Sequence, residues 1–133
     1  MTEKTCPFCS PRLHERILLR NELAFAVYDI NPVSKGHTLI IPFRHVAGFF
    51  DTTPEEKSAF MELSVRLREL LDQRYHPSGY NFGVNIGHDA GQAVMHVHLH
   101  LIPRHPGDAH GKGSGMRYVI PPQQVRQEKL SDY

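Results

Sequence analysis

Three histidines stand at every second position in the stretch HVHLHLIPR (residues 96–104). Histidine has the side-chain pKa that lies nearest neutrality, so a cluster of imidazoles points to acid–base, nucleophilic or metal chemistry. In a β-strand, residues two apart lie on one face, about 6.6 Å from one another. The spacing therefore predicts that His96, His98 and His100 project together, while the apolar residues between them face the core.

Two kinds of chemistry explain three histidines on one face better than a solvated polar surface without function does. One is a zinc site of three histidines that leaves a coordination position for a catalytic water. The other is nucleophilic catalysis, in which a neutral imidazole attacks phosphorus and its neighbours bind the phosphoryl oxygens. The loop GHDAGQ (residues 87–92) favours phosphorus, because its glycines allow a concave turn whose backbone N–H groups would hold an anion.

Hydrophobic patterning predicts the elements that must position these residues. Five β-like runs predict five strands, at residues 15–20, 23–30, 37–43, 80–86 and 94–102. The last two runs are joined by the glycine-bearing loop, which indicates an antiparallel pair. In the last strand, a backbone carbonyl is expected to orient the central imidazole.

One long helix is predicted over residues 51–75, with Thr53 as N-cap, Pro54 at its first position and Glu56 completing a capping box. An apolar stripe at helical spacing forms its core face: Phe60, Leu63, Leu67, Leu70 and Leu71. The expected fold is α+β, a mostly antiparallel five-stranded sheet with a long helix packed on it. Residues 1–133 would form a single domain, ending in an irregular C-terminal arm from about residue 105.

The composition excludes several classes of partner. Fifteen basic and 14 acidic side chains in 133 residues leave a net charge of +1, which argues against binding a nucleic-acid polymer. No apolar run is long enough to span a membrane, and Met1 leads into Thr-Glu-Lys rather than a signal peptide. We therefore expect a cytoplasmic protein. There, Cys6 and Cys9 are better interpreted as a metal or redox pair than as a disulfide.

The stretch NIGHDAGQAVMHVHLHLIPR (residues 85–104) resembles the signature of the histidine triad (HIT) superfamily of nucleotide hydrolases and transferases. The superfamily motif is His-φ-His-φ-His-φ-φ, where φ is apolar. KGHTLIIPFRHV (residues 35–46) and VYDINP (residues 27–32) are also similar to the family, and the resemblance runs from about Cys6 to Pro121. It implies a HIT-like fold and a covalent nucleotidyl-histidine intermediate.

The same resemblance implies three catalytic roles. His98, the middle histidine, would be the nucleophile, His100 would contact the phosphate, and His37 would support His98. Physically, attack by an imidazole divides one difficult displacement into two easier ones, and water or another acceptor completes the second. His100 and the loop amides would stabilise charge on the transferring group.

The resemblance also implies which residues contact the substrate. Asn85, Gly91 and Gln92 would lie at the phosphate, Asp29 at the ribose hydroxyls and Phe8 near the nucleobase.

One position departs from the family. Ala93 stands where many members have serine or threonine, whose hydroxyl helps to hold the phosphate or leaving group, so the leaving-group preference stays open.

Arg117 is singled out by its setting rather than by the resemblance. It lies between a glycine-rich segment and a β-like run, in GSGMRYVIP (residues 113–121). Such a segment could fold back over the active site, where a guanidinium would pair with the distal phosphates of a long substrate. The alternative is a surface arginine on a tail that only covers the sheet.

Cys6 and Cys9 have the spacing of a zinc knuckle, but two cysteines do not complete a tetrahedral site. Histidine is the natural source of the missing ligands, and His45 and His96 are our candidates. Some HIT proteins, and the related galactose-1-phosphate uridylyltransferases, carry zinc on such a pair with two histidines, which implies one structural Zn²⁺ per chain here. Small buried free cysteines are the alternative.

Three function classes remain open. The leading one is a HIT-family hydrolase or nucleotidyl transferase that acts at the α-phosphorus of a dinucleoside polyphosphate or a nucleoside phosphoramidate. The others are a nucleotide-binding regulatory module with vestigial activity and a three-histidine zinc hydrolase. The expected partners are a purine nucleotide or nucleotide conjugate and a second copy of the chain in a homodimer, with no membrane and no nucleic-acid polymer.

Overall fold

The computed structural model describes residues 2–108 and 115–120. Its centre is an antiparallel sheet in the order β1-β2-β3-β5-β4. The strands are β1 (Leu19–Arg20), β2 (Ala24–Tyr28), β3 (Thr38–Pro42), β4 (Gly79–Val84) and β5 (Leu99–Arg104). The helices are α1 (Pro11–His14) and α2 (Pro54–Tyr75). The predicted α+β class, with five strands and one long helix, is confirmed.

Helix α2 begins and ends as its sequence predicts. The Thr53 hydroxyl accepts the Glu56 N–H at 3.0 Å, and the Glu56 carboxylate accepts the Thr53 N–H at 2.9 Å. The helix ends at His76, which adopts the left-handed conformation with φ 49°. Four members of its apolar stripe are fully buried: Phe60, Leu63, Leu67 and Leu71. The fifth, Leu70, is partly buried and packs against the same core. The stripe therefore fixes α2 to one face of the sheet.

The opposite face of the sheet carries the histidines. Leu39 of β3 pairs directly with His100 of β5, and side chains of paired residues lie on the same face. That face holds a second apolar cluster of Phe25, Val27, Leu39 and Ile41, against which the N-terminal segment packs. The α2 side instead receives Val97, Leu99 and Leu101, which are all buried there. The predicted alternation of imidazoles and core residues is thus present.

Strand β5 is shorter than predicted, because it begins at Leu99 and leaves His96 and His98 in irregular backbone. Its register with β3, continued backwards, would pair Val97 with Pro42. Proline has no N–H for the ladder. The Pro42 carbonyl is bonded by the His96 imidazole at 2.8 Å, and the Val97 N–H turns to the Val46 carbonyl at 2.9 Å. The hydrogen-bond ladder between β3 and β5 therefore includes His100 but not His96 or His98.

The first strand also differs from its prediction of residues 15–20. Only Leu19 and Arg20 pair with β2. Helix α1 precedes them, capped by the Ser10 hydroxyl, which accepts the Arg12 N–H at 3.2 Å. Ser10 followed by Pro11 is a helix-start pattern, and sequence reasoning overlooked it.

Most of the predicted C-terminal arm lies outside the described residues. Within residues 115–120, a short 3₁₀ turn covers Met116–Tyr118. The Met116 Cε atom lies 3.3 Å from where a Cβ on Gly83 would stand. Gly83 pairs across the sheet with His100, so this turn returns to the histidine face.

No helix in the described part of the chain has the length and apolar character to cross a membrane.

Candidate active site and metal site

The His98 imidazole is held in one tautomer by the backbone. Its Nδ1 lies 3.0 Å from the carbonyl oxygen of His96. A carbonyl can only accept, so Nδ1 carries the proton and Nε2 keeps its lone pair. Burial lowers the pKa of His98, against the opposing effect of that carbonyl. At neutral pH the side chain is therefore a neutral imidazole, and its Nε2 has no hydrogen-bond partner among the described residues. A backbone carbonyl orients the ring as expected, but it belongs to His96, just before β5 rather than within the strand.

A second chain of hydrogen bonds sets the tautomers of His37 and His100. The Val33 N–H donates to His37 Nδ1 at 3.2 Å, so the neutral His37 ring carries its proton on Nε2. That N–H faces His100 Nδ1 at 2.9 Å, which leaves the proton of His100 on Nε2. Burial, followed by the neighbouring His98 and His37, lowers the pKa of His100 to about 4. At neutral pH His100 can therefore donate one N–H from Nε2.

Asp29 lies beside this pair. Its Oδ2 is 3.4 Å from His37 Nε2, and its Oδ1 accepts the Asn31 N–H at 2.8 Å. Burial lowers the pKa of His37, although the Asp29 carboxylate acts in the opposite direction. His37 was expected to support His98. Its Nε2–H instead donates a hydrogen bond to His100 Nδ1. The His100 ring in turn contacts the His98 ring, with centroids 5.2 Å apart.

Phe8 forms one wall of the site. Its ring meets His98 edge to face with centroids 5.0 Å apart, and His96 at 5.8 Å. Phe8 is half-buried between the two cysteines of the CPFC segment. The structure thus brings it to the histidine face.

The GHDAGQ loop is closed by its own hydrogen bonds, and this corrects the prediction of an open anion nest. The N–H groups of Ala90 and Gln92 both donate to the Gly87 carbonyl, at 3.2 and 3.1 Å, and that of Gly91 donates to His88 at 3.0 Å. Gly87 and Gly91 have φ of 91° and 95°, which favour glycine. The tight turn that these glycines allow therefore occupies amides that an anion would need.

Gln92 was expected at the phosphate, but its side chain is buried and bonded inside the protein. Its Oε1 accepts the Gly87 N–H at 2.9 Å, while its Nε2 donates to Ala47 at 2.6 Å and to Val94 at 3.0 Å. Both amide protons are used, so Gln92 fixes the loop rather than reaching outwards. Asn85 is exposed beside it, with Nδ2 3.4 Å from the Gly91 carbonyl.

The four predicted metal ligands converge. Nδ1 of His96 lies 3.3 Å from the Cys6 Sγ, 3.5 Å from the Cys9 Sγ and 3.2 Å from Nδ1 of His45. All four donor atoms lie within 4.8 Å of one another. A tetrahedral zinc ion would space two nitrogens by about 3.3 Å and a nitrogen and a sulfur by about 3.6 Å. The cluster has nearly these dimensions.

The tautomer of His96 also suits a metal. Its Nε2 lies 2.8 Å from the Pro42 carbonyl, which can only accept, so the proton is on Nε2 and the Nδ1 lone pair faces the sulfurs. The residues present therefore fit zinc.

A second cluster, of Asp29, His37 and His100, does not fit a metal. Because the Val33 N–H holds His37 Nδ1 as an acceptor, the nitrogen facing the cluster carries a proton and has no lone pair to offer. The three-histidine zinc site is not formed either. Among the described residues, each candidate cluster contains only one histidine of the motif, and neither contains His98.

Two contributing residues were missed from the sequence. Arg44 binds the buried Glu56 carboxylate twice, at 2.7 and 3.1 Å, and so ties the segment that carries His45 to α2. His14 is half-buried, and its Nε2 lies 3.1 Å from the Phe8 carbonyl. Arg117 is exposed in the turn beside Met116, and its predicted contact with distal phosphates stays a prediction.

Comparison with known proteins shows which family the chain resembles. The HIT domain family model matches residues 10–107. An uncharacterized 16.1 kDa HIT-like protein of Mycoplasma pneumoniae is 37% identical over 108 residues, which are 79% of this chain and 75% of that protein. A bis(5'-nucleosyl)-tetraphosphatase (asymmetrical) of Schizosaccharomyces pombe is 34% identical over 70% of this chain, a match that spans 51% of the yeast protein.

Among solved structures, a Zn-bound histidine triad family protein from Mycobacterium smegmatis is similar at 31% identity. It matches with a TM-score of 0.72, and the match covers 80% of each chain.

Proposed function

The protein belongs to the HIT domain family, and on this premise we propose that it is a hydrolase or nucleotidyl transferase acting at an α-phosphorus. Its substrate would be a dinucleoside polyphosphate or a nucleoside phosphoramidate. The observation that carries the proposal is the His98 ring, neutral and fixed by the His96 carbonyl with Nε2 free. A relative named as a tetraphosphatase supports the polyphosphate branch.

The chemistry proceeds in two displacements. The His98 Nε2 lone pair attacks the α-phosphorus, and the bond from phosphorus to the leaving group breaks with its electron pair going to that group. The resulting nucleotidyl-His98 carries positive charge, which the His96 carbonyl stabilises through Nδ1–H. Water then attacks the same phosphorus, and the phosphorus–Nε2 bond breaks with its electron pair returning to Nε2. The attacking water gives up one proton to the solvent or to the departed leaving group, the mononucleotide leaves, and His98 is again neutral.

His100 serves this reaction as a donor. Its Nε2–H would bind a non-bridging phosphoryl oxygen and stabilise the charge that builds up there. The His37 bond keeps that proton on Nε2 by occupying Nδ1. With Ala93 in place of a hydroxyl residue, this chain offers no side-chain hydroxyl at that position to the leaving group.

Substrate contacts are proposed on the same face. Phe8 would pack near a purine base, Asp29 would bind ribose hydroxyls, and Asn85 would contact the phosphate. Gly91 would serve the phosphate site by shaping the turn beside Asn85, since its own N–H is bonded to the His88 carbonyl. Gln92 would act by holding their loop, since its own amide is bonded within the protein. Arg117 would meet the distal phosphates of a long substrate.

One structural Zn²⁺ per chain would be held by Cys6, Cys9, His45 and His96. When bound, it would cross-link the N-terminal segment to the segments around β3 and β5. Those four residues do not take part in bond making, so metal removal is expected to act through stability.

A homodimer is proposed through β4. This strand ends the sheet in the order β1-β2-β3-β5-β4, so one of its edges is unpaired by the described strands. Phe82 of β4 is 40% exposed, which supports an apolar contact there. We also propose that residues 1–133 act as one HIT domain in the cytoplasm, which the free thiols of Cys6 and Cys9 support.

A panel of adenosine and guanosine polyphosphates and phosphoramidates, followed by chromatography of the products, tests the function. We expect a nucleoside monophosphate among the products of at least one substrate class. A protein that binds these nucleotides without turning any over would instead be the regulatory module with vestigial activity.

A further inference from the structure

His14 occupies a position that its sequence did not predict. Its ring packs edge to face against Phe25 with centroids 4.9 Å apart, and against Phe43 at 5.6 Å. Its Nε2 lies 3.1 Å from the Phe8 carbonyl and therefore donates to it. One imidazole thus joins the aromatic residues of the sheet to the CPFC segment.

The two phenylalanines give His14 a rigid support. Phe25 is fully buried in β2, Phe43 directly follows β3, and their rings pack with centroids 4.8 Å apart. The Arg20 guanidinium covers the other ring, 4.4 Å from the centroid of Phe43. Because β3 pairs with β5, His14 is fixed relative to the same sheet that carries His100.

Phe8 transmits this support to the histidine face. Its carbonyl is held by His14, while its ring contacts the edge of His98 at 5.0 Å between centroids. Within residues 2–108 and 115–120, the His98 side chain makes a single hydrogen bond, through Nδ1, so its ring orientation also depends on packing. A Phe8 segment that shifts would therefore loosen His98.

We propose that His14 is a positioning residue that fixes Phe8 against His98 and so keeps the His98 imidazole aligned. The inference rests on the proposed function, because it concerns the same site. His14 touches neither the substrate nor the reacting atoms. Its effect passes through one hydrogen bond and one ring contact, in that order.

Two substitutions separate the hydrogen bond from the packing. His14→Phe keeps a ring against Phe25 and Phe43 but removes the donor, whereas His14→Gln restores an N–H within reach of the Phe8 carbonyl. His105→Phe is the matched control, because His105 also lies 3.1 Å from a backbone carbonyl, that of Tyr75, but follows β5 at the end opposite His98. Each variant is compared for kcat/KM, melting temperature, metal content and the proton NMR signal of His98 Nδ1–H.

We expect His14→Phe to lower kcat/KM by about three- to tenfold, the usual worth of one hydrogen bond. Its metal content should match the wild type, and its melting temperature should fall by no more than the few degrees that one hydrogen bond is worth. The Nδ1–H signal of His98 should broaden through exchange with water, and His14→Gln should recover most of both losses. His105→Phe loses an equivalent hydrogen bond away from the site, so it should keep the wild-type kcat/KM and Nδ1–H signal.

Three results would overturn the role of His14. They are unchanged kinetics with an unchanged Nδ1–H signal, a loss that only follows the unfolded fraction, and a loss explained by missing metal. If the wild-type protein turns over no substrate, the proposed function fails. The NMR comparison then still decides whether His14 aligns His98.

Discussion

The His96 carbonyl oxygen accepts the Nδ1–H of His98 at 3.0 Å, while the His96 side chain faces the two cysteines. One residue therefore belongs to both the proposed zinc cluster and the support of the proposed nucleophile. The arrangement explains why the first histidine of the motif need not act in the chemistry. Its ring is fully buried, and both of its nitrogens are occupied.

Removing both thiols should remove the metal. The Cys6→Ser, Cys9→Ser double variant is expected to bind no zinc, against one per chain in the wild type, because two of four ligands are lost. Its melting temperature should fall by several degrees, since the N-terminal segment loses its cross-link. Elemental analysis with a thermal melt measures both, with His88→Ala as a control that keeps all four ligands. One equivalent of zinc in the double variant would place the site elsewhere.

Acid should destabilise the fold partly through His100. Its folded-state pKa of about 4 lies below the ordinary 6.5, so the unfolded chain binds the proton more readily. The stabilisation from neutral His100 is complete above about pH 6.5 and is lost as the pH falls towards 4. Between pH 7 and 5, the free energy of unfolding should therefore drop less in His100→Gln than in the wild type, by about 1–2 kcal/mol.

Denaturant melts at the two pH values measure this difference. Other groups also bind protons between pH 7 and 5. The contribution of His100 is therefore the difference between the wild type and the variant in how much the free energy of unfolding changes. Equal losses in both proteins would show that His100 is not held neutral by the fold.

Gln92 should matter for stability more than for contact with substrate. Gln92→Met keeps the length of the side chain but leaves the Gly87 N–H and two carbonyls without their partner. We expect a loss of about 1–3 kcal/mol in the free energy of unfolding. Asn85→Ala, on the exposed side of the loop, should cost little stability and weaken AMP binding instead. The reverse pattern in melts and calorimetry would return Gln92 to the phosphate.

Much of the fold was predictable because its signals are local. The capping box at Thr53 and the stripe from Phe60 to Leu71 predict α2 without any tertiary information. Alternating apolar residues predict the strands and the face on which the histidines lie. The residue at which β5 begins was not predictable in this way, because it depends on Pro42 of a different strand.

The sequence predicted which residues form the site, but not the hydrogen bonds that orient them. Motif spacing identified the triad histidines and the cysteine pair, and His45 and His96 were added as candidates for the missing ligands; the structure brings these four donors together. The bonds that set each tautomer come from Val33, Pro42 and the His96 carbonyl, and no sequence pattern marks a backbone group for such a role. The same holds for Arg44 and His14, whose partners are distant in sequence.

Arg117 should act according to substrate length. If it meets distal phosphates, Arg117→Ala should raise KM for a dinucleoside polyphosphate by about ten- to a hundredfold, the worth of a charge-assisted contact. A phosphoramidate with one phosphate should be unaffected, because it does not reach that far. Steady-state kinetics on the two substrates test this. Equal effects on both, or none, would leave Arg117 as a surface residue.

His98→Ala should abolish turnover while leaving the affinity for AMP within about tenfold of the wild type. The nucleophile acts in the chemical step and contributes less to ground-state binding. Calorimetry with AMP, alongside a turnover assay, measures the two effects separately. A large loss of AMP affinity with residual turnover would indicate a binding role instead.

The covalent intermediate is the most direct test. The protein is mixed with a turned-over substrate, quenched in alkali, where a phosphorus–nitrogen bond to histidine survives, and digested for mass spectrometry. We predict one nucleotidyl group on His98 in the wild type and in His105→Ala, whose substituted residue lies beyond the far end of β5, and none in His98→Ala. A nucleotidyl group on another residue, or turnover by His98→Ala within a few-fold of the wild type, would contradict the account.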